Sequence, residues 1–140
     1  MKKIFTLLLA VALFLPQGCH SKKADKIDGY SEIMAIHDTV MPKMGEVHRT
    51  KRKLQKLAAH ITDSLQLAQI NYSIGELEES DDLMQDWMHN WAEKSKGIDK
   101  KTPEYQQFLK EQKKSIINVS DRIYHAMQHA NNTLATFEEK

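Results

Sequence analysis

The sequence predicts an all-α fold: an up-down-up antiparallel three-helix bundle, coiled-coil-like, behind a cleaved N-terminal signal and a flexible tether. Three observations predict it. From Tyr30 onward apolar residues recur at alternating spacings of four and three, the seam of helices that pack side by side. Stop and start signals interrupt that seam twice, dividing the chain into helices of roughly 30 to 35 residues, about 45 to 50 Å at 1.5 Å per residue. The first 18 residues carry none of this pattern and have the layout of an export signal.

The N-terminal segment comes first. Lys2 and Lys3 precede an apolar run, Ile4 to Leu15, which is shorter than the roughly 20 residues a bilayer span needs. Pro16-Gln17-Gly18-Cys19 follows and resembles the lipobox of bacterial lipoprotein signals, in which a small residue precedes a cysteine that is acylated and becomes the new N-terminus. Gly18-Cys19 and Leu15 carry the resemblance; Pro16 and Gln17 stand where the usual pattern has Leu and then Ala or Ser. No A-x-A cleavage signal competes with it. The resemblance implies a signal peptide over residues 1–18, lipid attachment at Cys19 and a linker over 19–30, where His20 to Gly29 has almost no apolar content. Acylation would consume the single cysteine of the chain, leaving neither disulfide nor thiolate, so the body would be held by packing alone.

The bundle is expected over residues 31–138. The first helix, about 31–61, carries the seam Ile33, His37, Val40, Met44, Val47, Lys51, Leu54, Ala58 and Ile61. Pro42 lies inside it, where it removes a backbone hydrogen bond and favours a kink, but the seam keeps its phase across Pro42 and the helix is expected to continue. Asp63, followed three residues later by Gln66, has the form of an N-cap with a capping-box partner, placing the turn near Thr62 to Ser64. The second helix, about 65–96, carries Leu67, Ile70, Ile74, Leu77, Asp81, Met84, Met88 and Trp91, and ends at Lys96-Gly97. Thr102-Pro103-Glu104 starts the third, about 103–137: a hydroxyl at the cap, a proline at the first position and an acid facing the helix dipole. Its seam is Tyr105, Leu109, Gln112, Ile116, Val119, Ile123, Ala126, Ala130, Thr133 and Phe137.

Folding the chain back about residues 63 and 99 makes positions opposite when their numbers sum to about 127 (first and second helices) or about 199 (second and third). His48 then falls level with Asp81, and Lys51 with Glu76. Met34, His37 and Met41 fall beside Trp87, Met88 and Trp91, with Tyr105, Phe108 and Gln112 as the third wall and Gln112 as a candidate partner for His37.

Charge excludes one class of partner. The 20 basic and 19 acidic residues become 18 and 19 once Lys2 and Lys3 leave with the signal, and a near-neutral surface argues against nucleic acid. Hydrolytic and transfer sites usually lie on loops carried by a scaffold, whereas the connections here are short and the five glycines include no phosphate-cradling run. The sequence therefore names no catalytic residue, no metal ligand and no cofactor, and the chain is expected not to be an enzyme.

Two constellations invite chemistry. Met34, His37, Met41 and Met88 combine thioether and imidazole groups, which suit Cu(I) or haem iron; the plainer account is that methionines fill the uneven space beside Pro42 and contact the edges of Trp87, Trp91 and Phe108. His125 and His129 share a helix face at a spacing of four residues, but the expectation is that they point outward as a solvated pair with no acidic partner nearby.

Glu32 to Lys51, EIMAIHDTVMPKMGEVHRTK, together with Leu83 to Trp91, LMQDWMHNW, is similar to a group of small lipoproteins of Bacteroidota-type bacteria, some labelled "viral A-type inclusion protein". The matching blocks are Ile33 to Met44 and Met84 to Asn90. The resemblance implies a diderm cell envelope, a helical body, and HDTVMPKM lying beside DWMHN; it brings no activity to carry onto any residue. The expected role is a lipid-anchored structural or protein-interaction module whose partners are membrane lipid, through Cys19, and an envelope protein. The outer membrane is preferred over the inner, with the body in the periplasm or at the cell surface. Two alternatives stay open: a Met/His metal- or haem-binding bundle, and a periplasmic holdase-like chaperone whose methionines adapt to many apolar shapes.

Overall fold

The computed structural model describes residues 29–138; the expected signal peptide at 1–18, Cys19 and the expected linker up to residue 28 lie outside the described residues. Within them are three helices, α1 (Gly29–Ala58), α2 (Ser64–Lys94) and α3 (Pro103–Glu138), each packed against the other two, and no strand. Ion pairs fix the directions. His48 and Lys51 of α1 meet Asp81 and Glu78 of α2, so the two run antiparallel; Glu32, near the start of α1, meets Lys113 near the start of α3, so those two run parallel. The fold is an up-down-up three-helix bundle.

The helix boundaries follow from local chemistry. Asp63 caps α2, its carboxylate accepting from the backbone N–H groups of Leu65 and Gln66 at 3.0 and 2.9 Å, which satisfies two donors that a helix start leaves unpaired. Gly97 takes φ +78°, a left-handed conformation that is open to glycine and unfavourable for other residues, and it turns the chain out of α2. Thr102 caps α3, its hydroxyl accepting from Tyr105 N at 3.4 Å and donating to the Asp99 carbonyl at 2.8 Å. α1 runs through Pro42 without interruption. Pro42 and Asp38, whose carbonyl the proline ring leaves unpaired, are both exposed, so water can satisfy the group.

The core is a column of Ile33, Val40, Val47 and Leu54 from α1, Ile70, Leu77 and Met84 from α2, and Ile116, Val119, Ile123 and Ala130 from α3. The seam of α3 matches the expected one from Leu109 to Thr133, and that of α1 does at Ile33, Val40, Met44, Val47 and Leu54, with His37, Lys51 and Ala58 half-buried, Thr50 buried in addition and Ile61 past the helix end. That of α2 differs: the buried line is Ile70, Ser73, Leu77, Ser80, Met84 and Trp87, with Glu76 beside it, while Ile74, Asp81, Met88 and Trp91 are only half-buried. Small serines at buried positions give α3 room to approach α2. Their hydroxyls are satisfied internally, Ser80 Oγ donating to the Leu77 carbonyl at 2.9 Å and Ser73 Oγ lying 2.8 Å from Thr133 Oγ1.

The register also moves by two residues. His48–Asp81 and Lys51–Glu78 each sum to 129, so Lys51 meets Glu78, not Glu76 as expected. Glu76 faces α3 instead.

Candidate functional site

Charge lies inside the bundle where α2 crosses the second half of α3. Glu76 is 9% exposed, an unusual burial for a carboxylate. Ser73 and Glu76 of α2 lie against α3, which raises His125 and His129 from successive turns of one face to meet them. His129 Nδ1 lies 2.5 Å from Glu76 Oε2 and His125 Nδ1 lies 3.7 Å from Glu76 Oε1. Tyr72 donates its phenolic hydrogen to Oε1 at 3.3 Å, and its ring meets the His129 ring edge-on at 5.4 Å. Ser73 Oγ lies 3.4 Å from His129 Nδ1. Oε2 is buried, with His129 Nδ1 as its close neighbour.

The expectation that His125 and His129 form a solvated pair with no acidic partner holds for the exposure of His125 and fails on the acidic partner, which is Glu76. His129 is half-buried and both imidazoles face one buried carboxylate. The signal was present: opposite numbers summing to about 199 put position 74 level with His125, about half a helical turn from Glu76. The observed pairs His125–Glu76 and Arg122–Glu79 sum to 201.

Chemically the cluster is a buried carboxylate held by two imidazoles and a phenol. It does not form a nucleophile relay. A hydroxyl–imidazole–carboxylate relay needs the two ring nitrogens to serve different partners, whereas Ser73 Oγ and Glu76 Oε2 both approach Nδ1 of His129.

The second constellation lies at the other end of the bundle. Here the structure brings together most of what the sequence placed side by side. The His37 ring packs on Trp87 at 5.5 Å, Trp87 on Trp91 at 5.5 Å, and Trp91 on Phe108 at 5.1 Å. Tyr30 reaches Trp91 at 5.8 Å and Tyr105 reaches Phe108 at 6.2 Å. Met34, Met41 and Met88 are half-buried against the hydrophobic core. His37 is not served by Gln112: its Nδ1 lies 2.9 Å from the carboxylate of its neighbour Asp38. Gln112 faces α2 instead, and a groove of about 380 Å³ between α2 and α3 is lined by Trp87, Gln112, Asp86, Asn90, Ser115 and Asn118 among others. Trp87 Nε1 and Gln112 Oε1 are buried there without a partner in the protein.

No family model, curated protein or solved structure matches the chain.

Proposed function

We propose that the protein is a lipid-anchored module of a bacterial cell envelope, with a structural or protein-interaction role. One observation carries this reading: a positive start at Lys2 and Lys3, an apolar run from Ile4 to Leu15 too short to span a bilayer, and Gly18-Cys19 directly after it. Among the described residues no helix is long and apolar enough to cross a membrane, so attachment in this reading rests on the acyl chains. One chain gives only marginal binding and two or more give stable anchoring. The likeness of Glu32–Lys51 and Leu83–Trp91 to small lipoproteins of Bacteroidota-type bacteria supports the same location, with the outer membrane preferred over the inner. No residue is assigned a catalytic role.

The test is fractionation of cells producing the full chain and its Cys19→Ser variant. The native chain enters the membrane fraction, takes up labelled fatty acid and partitions into detergent; the variant is released or stalls with its signal attached. Recovery of the Ser variant as fully processed membrane protein overturns the reading. Pull-down of the acylated chain from its own membrane then names the partner.

A further inference from the structure

We propose that Arg49, Arg52, Lys53 and Lys56, on the outer face of α1, form a docking surface for anionic phospholipid, along which the bundle lies on a membrane. The near-neutral total charge hides a segregation by helix. α1 carries six Lys and Arg against three acids, α2 one against seven, and α3 four against four. Between Val47 and Thr62 no acid occurs at all.

Spacing sorts most of the cations of α1 into two sets. His48 and Lys51 turn toward α2 and meet Asp81 and Glu78. Arg49, Arg52, Lys53 and Lys56 recur at i, i+3, i+4 and i+7, so they share one face, which points away from the core line Val40, Val47 and Leu54. All four are exposed, and none has an ion pair or a side-chain hydrogen bond to another described residue. Like charges three and four residues apart repel along a helix, so the stripe weakens α1. Only Lys56 lies in the last turn, where the helix dipole favours a cation; the dipole does not account for the other three.

The shape of the stripe selects its partner. At 1.5 Å per residue the four charges run along a straight line of about 10 Å on a convex helix surface. Such a line meets a flat array of phosphates at every point, whereas one small anion reaches only a part of it. Each Lys or Arg brought near an anionic lipid surface adds to the attraction. The acids of α2 select against a partner that wraps the bundle: Glu78, Asp82 and Asp86 are exposed on the neighbouring helix, and a flat bilayer touching α1 avoids them. The stripe starts at Arg49, about 30 Å along α1 from Gly29, so contact lays the bundle along the membrane instead of standing it on its Gly29 end. A membrane within reach follows from the envelope reading, on which this inference rests for that point alone.

The experiment is flotation of the purified full chain, carrying Cys19→Ser so that no acyl chain contributes, with vesicles at limiting lipid. Pure phosphatidylcholine is compared with phosphatidylcholine containing about three-tenths phosphatidylglycerol. The apolar run Ile4 to Leu15 contributes to both, and the charge variants isolate the stripe. Arg49→Gln/Arg52→Gln/Lys53→Gln/Lys56→Gln should lower partition onto the anionic vesicles at least about tenfold and leave that onto pure phosphatidylcholine unchanged. Lys100→Gln/Lys101→Gln/Lys110→Gln/Lys114→Gln removes as many exposed cations from the α2–α3 connection and α3, and should change either partition less than about threefold. The preference for anionic vesicles should shrink as salt is raised. Every substituted residue is exposed, so both variants keep the fold, and circular dichroism verifies this. Equal loss in the two variants, no loss in the first, or a preference that persists at about 1 M salt overturns the proposal. So does stripe-dependent binding of a DNA duplex tighter than that of the anionic vesicles, which assigns the face to nucleic acid. A salt-sensitive dimer lost in the first variant also overturns it, assigning the stripe to the acidic α2 of a second copy. Because Cys19 is replaced throughout, uptake of labelled fatty acid by the native chain decides the anchor and flotation decides the stripe.

Discussion

Ser73 Oγ and Thr133 Oγ1 lie 2.8 Å apart, both buried, and join α2 to α3 across 60 residues of sequence. Thr133 has this hydroxyl as its cross-helix partner, whereas Ser73 also has His129 Nδ1 within 3.4 Å. Removing one member leaves the other buried and unpaired, at about 1 to 3 kcal/mol, while removing both can be nearly neutral. Ser73→Ala is therefore expected to destabilise more than Thr133→Val, and Ser73→Ala/Thr133→Val less than the sum of the two. Urea denaturation of the four proteins measures this coupling; strict additivity would mean that the pair does not act as a unit.

The middle of the bundle gives a second expectation. Leu77 is 0% exposed and packs in the column with Val47 and Val119. Truncating it to Ala should cost about 2 to 5 kcal/mol, a large part of the 5 to 15 kcal/mol typical of a whole domain. Leu65, 80% exposed beside the α1–α2 turn, should tolerate the same change within about 0.5 kcal/mol. Equal effects at the two sites would mean that α2 is rotated from the position described.

How much of this was legible in the sequence differs by helix. For α1 and α3 the apolar residues outnumber the ambiguous ones along one stripe, so Ile33, Val40, Val47, Leu54 and Leu109, Ile116, Val119, Ile123 fix the buried face by spacing alone. In α2 apolar residues flank the true seam on both sides. Ile74, Met88 and Trp91 drew the reading toward α1, whereas the buried positions that accompany Ile70, Leu77 and Met84 are Ser73, Ser80 and, after Met84, Trp87. A serine is read as surface until a facing helix is placed close to it. Glu76 was passed over for a related reason: a carboxylate is assigned to solvent by default, and its burial becomes tolerable through Tyr72 and through the partner histidines, 49 and 53 residues further on. The caps at Asp63 and Thr102 and the turn at Gly97 depend on local residues and could be read directly.

Register can be tested without altering the chain. Lys113 Nζ lies 2.6 Å from Glu32 Oε2 and Lys51 Nζ lies 3.5 Å from Glu78 Oε1. A zero-length carbodiimide cross-linker should join both pairs within single chains, as seen by mass spectrometry of the monomer band. Links found only between chains would replace the monomeric bundle with a helix-exchanged dimer.

Gly97 holds the α2–α3 turn at φ +78°, with nothing within 4 Å of an added Cβ. The penalty for a side chain is therefore backbone strain alone, about 1 to 2 kcal/mol for Ala. Gly75 likewise has open space but lies inside α2 at an exposed position, where Ala is favoured over Gly by about 0.5 to 1 kcal/mol. Gly97→Ala should lower the thermal midpoint and Gly75→Ala should raise it.

The column of rings from His37 through Trp87 and Trp91 to Phe108 decides what the methionines around it do. Met41 and Met88 are half-buried against the core, Met41 directly before Pro42, which cannot donate a backbone hydrogen bond within α1. A flexible thioether fits such positions, and a change to Leu keeps its volume. If packing is the role, Met41→Leu and Met88→Leu should each shift stability by less than about 1.5 kcal/mol. His37→Ala should cost about 0.5 to 1.5 kcal/mol through its lost ring contact with Trp87 and should alter the tryptophan fluorescence. A Met/His copper or haem site predicts another outcome: bound metal or a Soret band in the purified protein, lost on any one of these changes while circular dichroism stays the same. One equivalent of copper or haem released by Met88→Leu would end the packing account, because that substitution preserves volume and removes only the sulfur.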